Sequence, residues 1–281
     1  MKRLAVMAIG LAIATTSVAQ KLPRTSPLAE VEQTVGLTDI EIQYSRPGVK
    51  DRTIFGDVVP YGEMWRVGAN ERTTIETEDN IKIEGKELKA GKYAILVKPG
   101  KDTWQVMFSS NIESWGTNDY DPKDDVLTIT VKPEEAQFTE NMLFYFDEIV
   151  WDKANLVLQW DKVKIRIPIE VDVDTKAWAG IEEAIAKNPK DAMVLRNAAR
   201  YCADSGKRLD KGLKFIQEAN EIKSSWLHKL IEARIYAAKK EYDSAKSSAK
   251  EAIKLGEEEA KESGKEFSYK RMIESEMAKW K

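Results

Sequence analysis

The chain is nearly empty of the residues that most enzyme chemistry relies on. It has one histidine, His228, and one cysteine, Cys202, among 281 residues. A Ser-His-Asp triad needs an imidazole beside its serine, and zinc sites draw on several His or Cys ligands. One of each supplies neither, and Cys202 has no partner for an intramolecular disulfide. No glycine-rich phosphate loop of the Walker or dinucleotide form is present, so no cofactor is implied. There is also no excess of positive charge, with 44 basic against 47 acidic residues, which argues against nucleic acid as a partner. Long apolar runs are missing too. The longest near the N-terminus, Leu4 to Ala14, is too short to cross the ~30 Å core of a bilayer as a helix, so stable membrane insertion is not expected.

What those first residues do resemble is a secretory signal. Lys2 and Arg3 form a basic start, and Ser17-Val18-Ala19 is a small-residue cleavage site after the apolar run. Cleavage near Ala19 leaves no cysteine for lipid attachment. An exported chain without disulfides fits the periplasm of a Gram-negative bacterium, or full secretion from one. Its stability then has to come from core burial, which about 260 residues permit.

Charge and period both change partway along. Residues 20–174 carry 19 basic and 29 acidic side chains, a net of −10, whereas residues 175–281 carry 23 and 18, a net of +5. In the first half apolar residues alternate with polar ones, as at Ile40, Ile42 and Tyr44, at Ile81 and Ile83, and at Val163, Ile165, Ile167 and Ile169. Runs from Leu143 to Trp151 and from Leu156 to Val171 are the longest. Strands of this kind bury one face and wet the other. Short turns such as Glu84-Gly85 and Pro99-Gly100 separate them, and no amphipathic helical stretch intervenes. An antiparallel β-sandwich follows, for which a jelly-roll-like order is one form. Beyond Asp174 the period is 3.6, with repeated Ala and many Glu and Lys. Ala199, Cys202, Leu209, Gly212 and Ala219 are echoed by Ala233, Tyr236, Tyr242, Ala245 and Ala252. Ala199 and Ala233 lie one tetratricopeptide repeat length apart. The chain therefore reads as α+β and multidomain: signal peptide 1–19, N-terminal segment 20–37, β-sandwich 38–174 and helical tetratricopeptide-like domain 175–281.

Chemistry-bearing residues concentrate between Tyr44 and Thr74. Arg46, Arg52, Arg66 and Arg72 lie there with Tyr61, Trp65, Asn70 and Glu71, punctuated by Pro47, Gly48, Gly56, Pro60, Gly62 and Gly68. Guanidinium and aromatic groups at turns hold either a loop geometry or a ligand. In the architectural reading the arginines make forked bonds to carboxylates or loop carbonyls. In the ligand reading they bind a carboxylate, sulfate, phosphate or sugar substituent, with Trp65 or Tyr61 stacked on it. Architecture suits Arg66 and Asn70; the ligand reading suits Arg46 and Arg52. Paired carboxylates among Asp51, Asp57, Glu63 and Glu71 would instead serve a glycan hydrolase or lyase. Trp104, Trp151 and Trp160 read as core, while Trp115 adjoins a polar loop and is kept as a ligand candidate. Asn118, Asp119, Asp121, Asp124 and Asp125 cluster oxygen ligands of the kind calcium takes, but without EF-hand spacing; a solvated turn is the favoured reading and calcium binding the alternative.

Several of these stretches also resemble a known family. Ser26-Pro27, Gln33, Gly36, the run Tyr44 to Pro47, Lys50 and Arg52 are similar to the domain of unknown function family 2911. So are Ile54-Phe55-Gly56, Val59-Pro60-Tyr61-Gly62, Trp65-Arg66, Gly68-Ala69-Asn70-Glu71, Thr73-Thr74, Gly85 to Gly100, and Trp115-Gly116 with Tyr120. The resemblance covers roughly Ser26 to Val171. It implies an exported β-rich bacterial protein, some members of which carry tetratricopeptide-type helices after the β domain. It transfers no catalytic residue, because the family's activity is unassigned. The function expected on these grounds is a non-enzymatic envelope binding module. The sandwich takes a small polar, anionic or glycan ligand, and the helical repeats take a protein partner. A glycan-cleaving enzyme and a purely structural scaffold are the alternatives.

Overall fold

The structure, a computed structural model, describes residues 22–281, so the signal-peptide reading lies outside the described residues. The chain divides into two compact units, one ending at Asp172 and the other beginning at Val173.

The first unit is built from ten antiparallel strands. They are β1 (Leu28–Val35), β2 (Thr38–Ser45), β3 (Thr73–Thr77), β4 (Ile81–Ile83), β5 (Lys86–Leu88), β6 (Gly91–Lys98), β7 (Trp104–Ser109), β8 (Asp125–Val131), β9 (Glu134–Asp147) and β10 (Lys153–Val171). Six form one sheet in the order β1-β2-β3-β6-β7-β8, and four form a second in the order β5-β4-β10-β9. The first sheet is a meander with one excursion, β4 and β5, which cross to the other sheet. That order differs from the interleaved two-by-four arrangement of a jelly roll. Two-residue turns join the neighbouring pairs β1–β2 and β4–β5, whereas the neighbours β2 and β3 are joined by a long connection. Glu84 (φ 51°) and Gly85 (φ 72°) form such a turn between β4 and β5, both in the left-handed region that a type I′ hairpin requires.

Alternation along the strands produces the core. Ile40, Ile42 and Tyr44 of β2 are buried, as are Ile165, Ile167 and Ile169 of β10. Tyr44 and Phe144 meet edge to face at 5.0 Å, and the Phe144 amide donates to the Tyr44 hydroxyl at 3.1 Å, tying the two sheets. Three features differ from the sequence expectation. The lead-in 20–37 contains β1, whose alternating side chains Ala29, Val31 and Gln33 are too small or too polar to signal a strand. Second, the apolar run to Trp151 breaks at Asp147. Residues 148–152 form the β9–β10 connection, and Trp151 is half exposed there instead of lying in the core. Third, β9 and β10 slip register between Gln159 and Val163. Such bulges bend a strand and re-aim its side chains. Trp160, inside this irregular stretch, is 2% exposed.

The second unit contains six helices: α1 (Val173–Lys187), α2 (Ala192–Ser205), α3 (Leu209–Ile222), α4 (Trp226–Ala238), α5 (Tyr242–Glu262) and α6 (Lys270–Met277). Asp191 caps α2 by accepting from the Met193 and Val194 amides, and Gly206 ends it in the left-handed conformation. α2 packs on α3, and α4 on α5, through the small residues picked out by the repeat. Ala199, Ala219, Ala233, Ala245, Ala249 and Ala252 are completely buried. α2 and α3 approach closely at Gly212 and Cys202, where a Cβ on Gly212 would lie 2.6 Å from the Cys202 Cβ. Leu195, Ile216, Ile231 and Ile235 fill one apolar cluster, and Leu230 and Ile273 anchor a second. His228 is buried, and its Nδ1 has no hydrogen-bond partner. Burial, followed by the charge of Arg196, lowers its pKa from the ordinary imidazole value.

Candidate functional site

The arginine-rich stretch forms the long connection between β2 and β3, and part of it surrounds a cleft of about 460 Å³. Pro47, Gly48, Lys50 and Arg52 line one side, Trp65, Arg66, Gly68 and Ala69 another, with Thr25, Ser26, Val58, Val59 and the Trp160 edge completing it. The walls are held by specific local contacts. Gly48 forms a bridge to Asn141 of β9, and a Cβ there would lie 2.7 Å from the Glu140 carboxylate. Gly68 has φ 117°, and a Cβ would lie 2.7 Å from the Ser45 carbonyl oxygen, so only glycine fits. Trp65 exchanges both backbone hydrogen bonds with Val97 of β6, and its ring stacks on Trp160 at 6.0 Å and 18°. Phe55 and Trp104 continue this aromatic layer.

The four arginines have separate fates. Arg46 donates from Nε to the Met142 carbonyl at 3.0 Å, which extends the β2 edge toward β9. Arg52 donates from Nε to Val49 O at 3.1 Å and from Nη2 to Gly48 O at 2.8 Å, closing the tight turn that carries Lys50. Arg72 is the most committed. Its side chain is 1% exposed, and it donates to Gly116 O (3.0 Å), Asn111 O (2.8 Å) and Asp119 Oδ1 (3.0 Å). Arg66 differs from all of these. Its Nε is buried with no hydrogen-bond partner, although it lies at the cleft wall. A buried donor left unmade costs ~1–3 kcal/mol, so Arg66 is held at the cleft at some expense to the fold.

The cleft is cationic. Lys50, Arg52 and Arg66 are its charged lining residues, and no Asp or Glu is among the residues that line it. Of the sequence candidates it brings together Arg52, Trp65 and Arg66, and adds Lys50 and Trp160. It leaves the others elsewhere, each for a physical reason. Arg46 is spent on Met142. Tyr61 lies on an exposed turn, where its ring covers Gly56, a position with φ 98°. Asn70 ties the N-terminal strap by donating to Ser26 O and Ser45 Oγ, both at 3.2 Å. Glu71 pairs with Arg24 on the surface at 2.8 Å, and its own backbone amide with Arg24 holds its carboxyl below the ordinary range.

Trp115 belongs to a different feature, the β7–β8 loop. Arg72 fixes the base of this loop, and the Ser114 hydroxyl bonds Asn111 Oδ1 (2.8 Å) and the Asp119 carboxylate. That hydroxyl bond, helped by Arg72, holds the Asp119 carboxyl below its ordinary range. The Tyr120 hydroxyl bonds Asp125, and burial together with that carboxylate pushes its pKa up to about 12. Trp115 itself is 67% exposed. Asp119 and Asp125 are thus engaged with Arg72, Ser114 and Tyr120, while Asp121 accepts from the Lys123 amide and Asp124 from Asn111 Nδ2; among the described residues no three His, Cys, Asp or Glu side chains gather as metal ligands would. Arg72 is the functional-looking residue that sequence reasoning left unassigned. The signal available was its position at the start of a buried strand, where a charge needs several acceptors.

A smaller recess of about 120 Å³ is lined by Arg24, Leu28, Gln43, Tyr44, Ser45, Glu71 and Arg72. No curated protein and no solved structure matches the chain. The family model for DUF2911, described as a protein of unknown function, matches residues 26–169, a span that holds every lining residue of the cleft except Thr25. The chain, more than half of which is covered by that match, belongs to the DUF2911 family.

Proposed function

We propose that this protein is a non-enzymatic binding module of the bacterial envelope whose β-sandwich takes a small anionic or glycan ligand. The observation that carries this is the gathering of Lys50, Arg52 and Arg66 around one cleft whose lining contains no carboxylate. Guanidinium is suited to such a role because its planar donors meet carboxylate, sulfate or phosphate oxygens pairwise. Acid–base hydrolysis of a glycan needs two carboxylates flanking the bond, and the lining has none to offer. Trp65, partly buried at the same wall, supplies an apolar face beside the charge.

In this reading the paired helices of the second unit are tetratricopeptide-like and take a protein partner on one face, as stacked helical hairpins do. Export through a signal peptide cleaved near Ala19 places the protein in the periplasm or outside the cell. A thermal-shift screen of the mature protein tests the anion site directly, using sulfate, phosphate, a uronate and Ca²⁺. An anion at 100 times its Kd should stabilise the protein by about 2.7 kcal/mol. Arg66→Gln and Lys50→Gln should each reduce that shift. Lys50 is exposed and has no structural bond through its side chain, so its variant separates lost binding from lost folding. Absence of a shift with every anion would overturn the reading.

A further inference from the structure

β1 is one edge of the six-stranded sheet, and its register shows which of its backbone groups are spare. The Arg46 amide donates to the Pro27 carbonyl, and from there the pairing runs without a slip to Val35 and Thr38. Bonded positions alternate in an antiparallel pair, so Pro27, Ala29, Val31, Gln33 and Val35 face β2. Leu28, Glu30, Glu32 and Thr34 therefore turn their amides and carbonyls outward. Among the described residues only the Thr34 carbonyl is taken, by Gln33 Nε2 at 2.9 Å. The lead-in to β1 is tied instead to the β2–β3 connection. Arg24 pairs with Glu71 there, and the Ser26 carbonyl accepts from Asn70.

The other three sheet edges are guarded. β8 lies beside β5 and gives its Thr128 carbonyl to Lys86 Nζ at 3.0 Å. β5 itself is only three residues long. β9 is covered by the β2–β3 connection, through the bonds Val49 N to Glu140 O and Met142 N to Pro47 O. Nearer its start its register against β10 slips. Short strands, lysines, bulges and coverings are the means by which sheets avoid stray pairing. β1 has eight residues, no lysine, no bulge and no cover among the described residues; its guards are two glutamates.

Those glutamates select the occupant. Glu30 and Glu32 are exposed, and Glu32 stands opposite Glu41, which stands opposite Glu76. Of this row Glu76 alone has a cation among the described residues, Lys92 at 3.0 Å. Like charges opposite one another across strands repel, and unlike charges attract. A second copy of β1 laid antiparallel on the edge sets glutamate against glutamate. A strand with lysine or arginine at alternate positions completes the row instead. We propose that β1 takes an extended cationic segment of another protein by strand addition. Main-chain bonds to Glu30 and Glu32 supply affinity, and the glutamate row supplies selectivity. No β1 residue lines the anion cleft, so this surface is independent of it.

The test titrates the whole mature chain with three capped peptides and follows amide hydrogen exchange by NMR. The peptides are (Lys-Val)4, (Glu-Val)4 and (Lys-Val)4 N-methylated at its lysines, which keeps the charge and loses the ladder donors. The first should bind, and the second and third should bind about tenfold or more weakly. The amides of Leu28, Glu30, Glu32 and Thr34 should slow on binding. Glu32→Pro removes an outward amide that the β2 ladder does not use, and should weaken binding about tenfold. Glu32→Lys, at an exposed position, should weaken (Lys-Val)4 and strengthen (Glu-Val)4. Native near-UV circular dichroism of both variants shows that the fold is kept. Binding that leaves those four amides unprotected would overturn the proposal. So would equal affinity for the N-methylated peptide, or no binding of (Lys-Val)4. A dimer of the free protein that Glu32→Pro dissolves would assign the edge to a second copy instead.

Discussion

Arginine identity in this sequence does not reveal arginine use. Arg46, Arg52 and Arg66 look interchangeable as residues, yet the first two are spent on carbonyls and the third keeps a buried donor unpaired. The sequence reading favours a ligand role for Arg46 and Arg52 and an architectural one for Arg66; Arg52 and Arg66 both line the cleft, and Arg46 does not. The reason is physical: their acceptors are main-chain oxygens, which leave no trace in side-chain pattern, and Met142 is brought to Arg46 from 96 residues away. Trp104 and Trp160, by contrast, were legible as core because large rings in strand-like runs have few places to go. Arg72 carries the clearest prediction at this scale. Arg72→Met removes all its bonds and orphans the Asn111 and Gly116 carbonyls, so it should destabilise the β unit by about 3 kcal/mol in urea unfolding. Arg52→Ala loses two bonds at a more exposed turn and should cost about 1 kcal/mol in the same assay. Equal losses in the two variants would contradict the roles described.

At the level of elements, the helices were the more readable half. Helical spacing of alanines is a local signal, and local signals survive in sequence. The strands were legible where alternation is strong and lost where it is weak, as in β1. The bulge that places Trp160 is a property of the β9–β10 pair, and neither strand encodes it alone. Gly212 offers a sharp test of helix packing. An exposed helical Gly→Ala change stabilises by up to about 1 kcal/mol, but here the new methyl would meet Cys202 at 2.6 Å. Overpacking costs typically ~1–3 kcal/mol, so the collision wins and Gly212→Ala should lower the unfolding midpoint. A raised midpoint would show that α2 and α3 have room to separate. The neighbouring α3–α4 pair gives a second test through His228. Its folded pKa lies below the unfolded value of about 6.5, so the unfolded state binds the proton more readily. Stability is therefore complete above about pH 6.5 and is lost as pH falls through the folded pKa. His228→Gln should flatten that fall in denaturant midpoints measured between pH 7.5 and 5.

For the whole molecule, scarcity becomes an advantage. With a single histidine, the titration between neutral pH and about pH 5 belongs almost entirely to one group. Further down, Glu71, Asp119, Glu170 and Asp174 each have lowered pKa values, through backbone or side-chain hydrogen bonds and nearby cations. Groups of that kind stabilise the fold above their unfolded pKa and lose the contribution as pH drops below it. Urea midpoints followed from pH 8 downward should thus hold level, decline once through the histidine range, and decline again below about pH 4.5. The His228→Gln protein should show the second step alone. A single acid step in the native protein at carboxylate pH would mean that His228 is solvated in solution.

The contact between Cys202 and Gly212 has one more consequence. The chain's one thiol sits at zero exposure where α2 meets α3, and burial raises its pKa. It therefore reacts with an aromatic disulfide reagent only when α2 and α3 part. The rate of that reaction, set against a free thiol, reads the opening free energy of one hairpin inside an otherwise folded protein. Nature has left a single clock in this molecule, wound into the joint between α2 and α3.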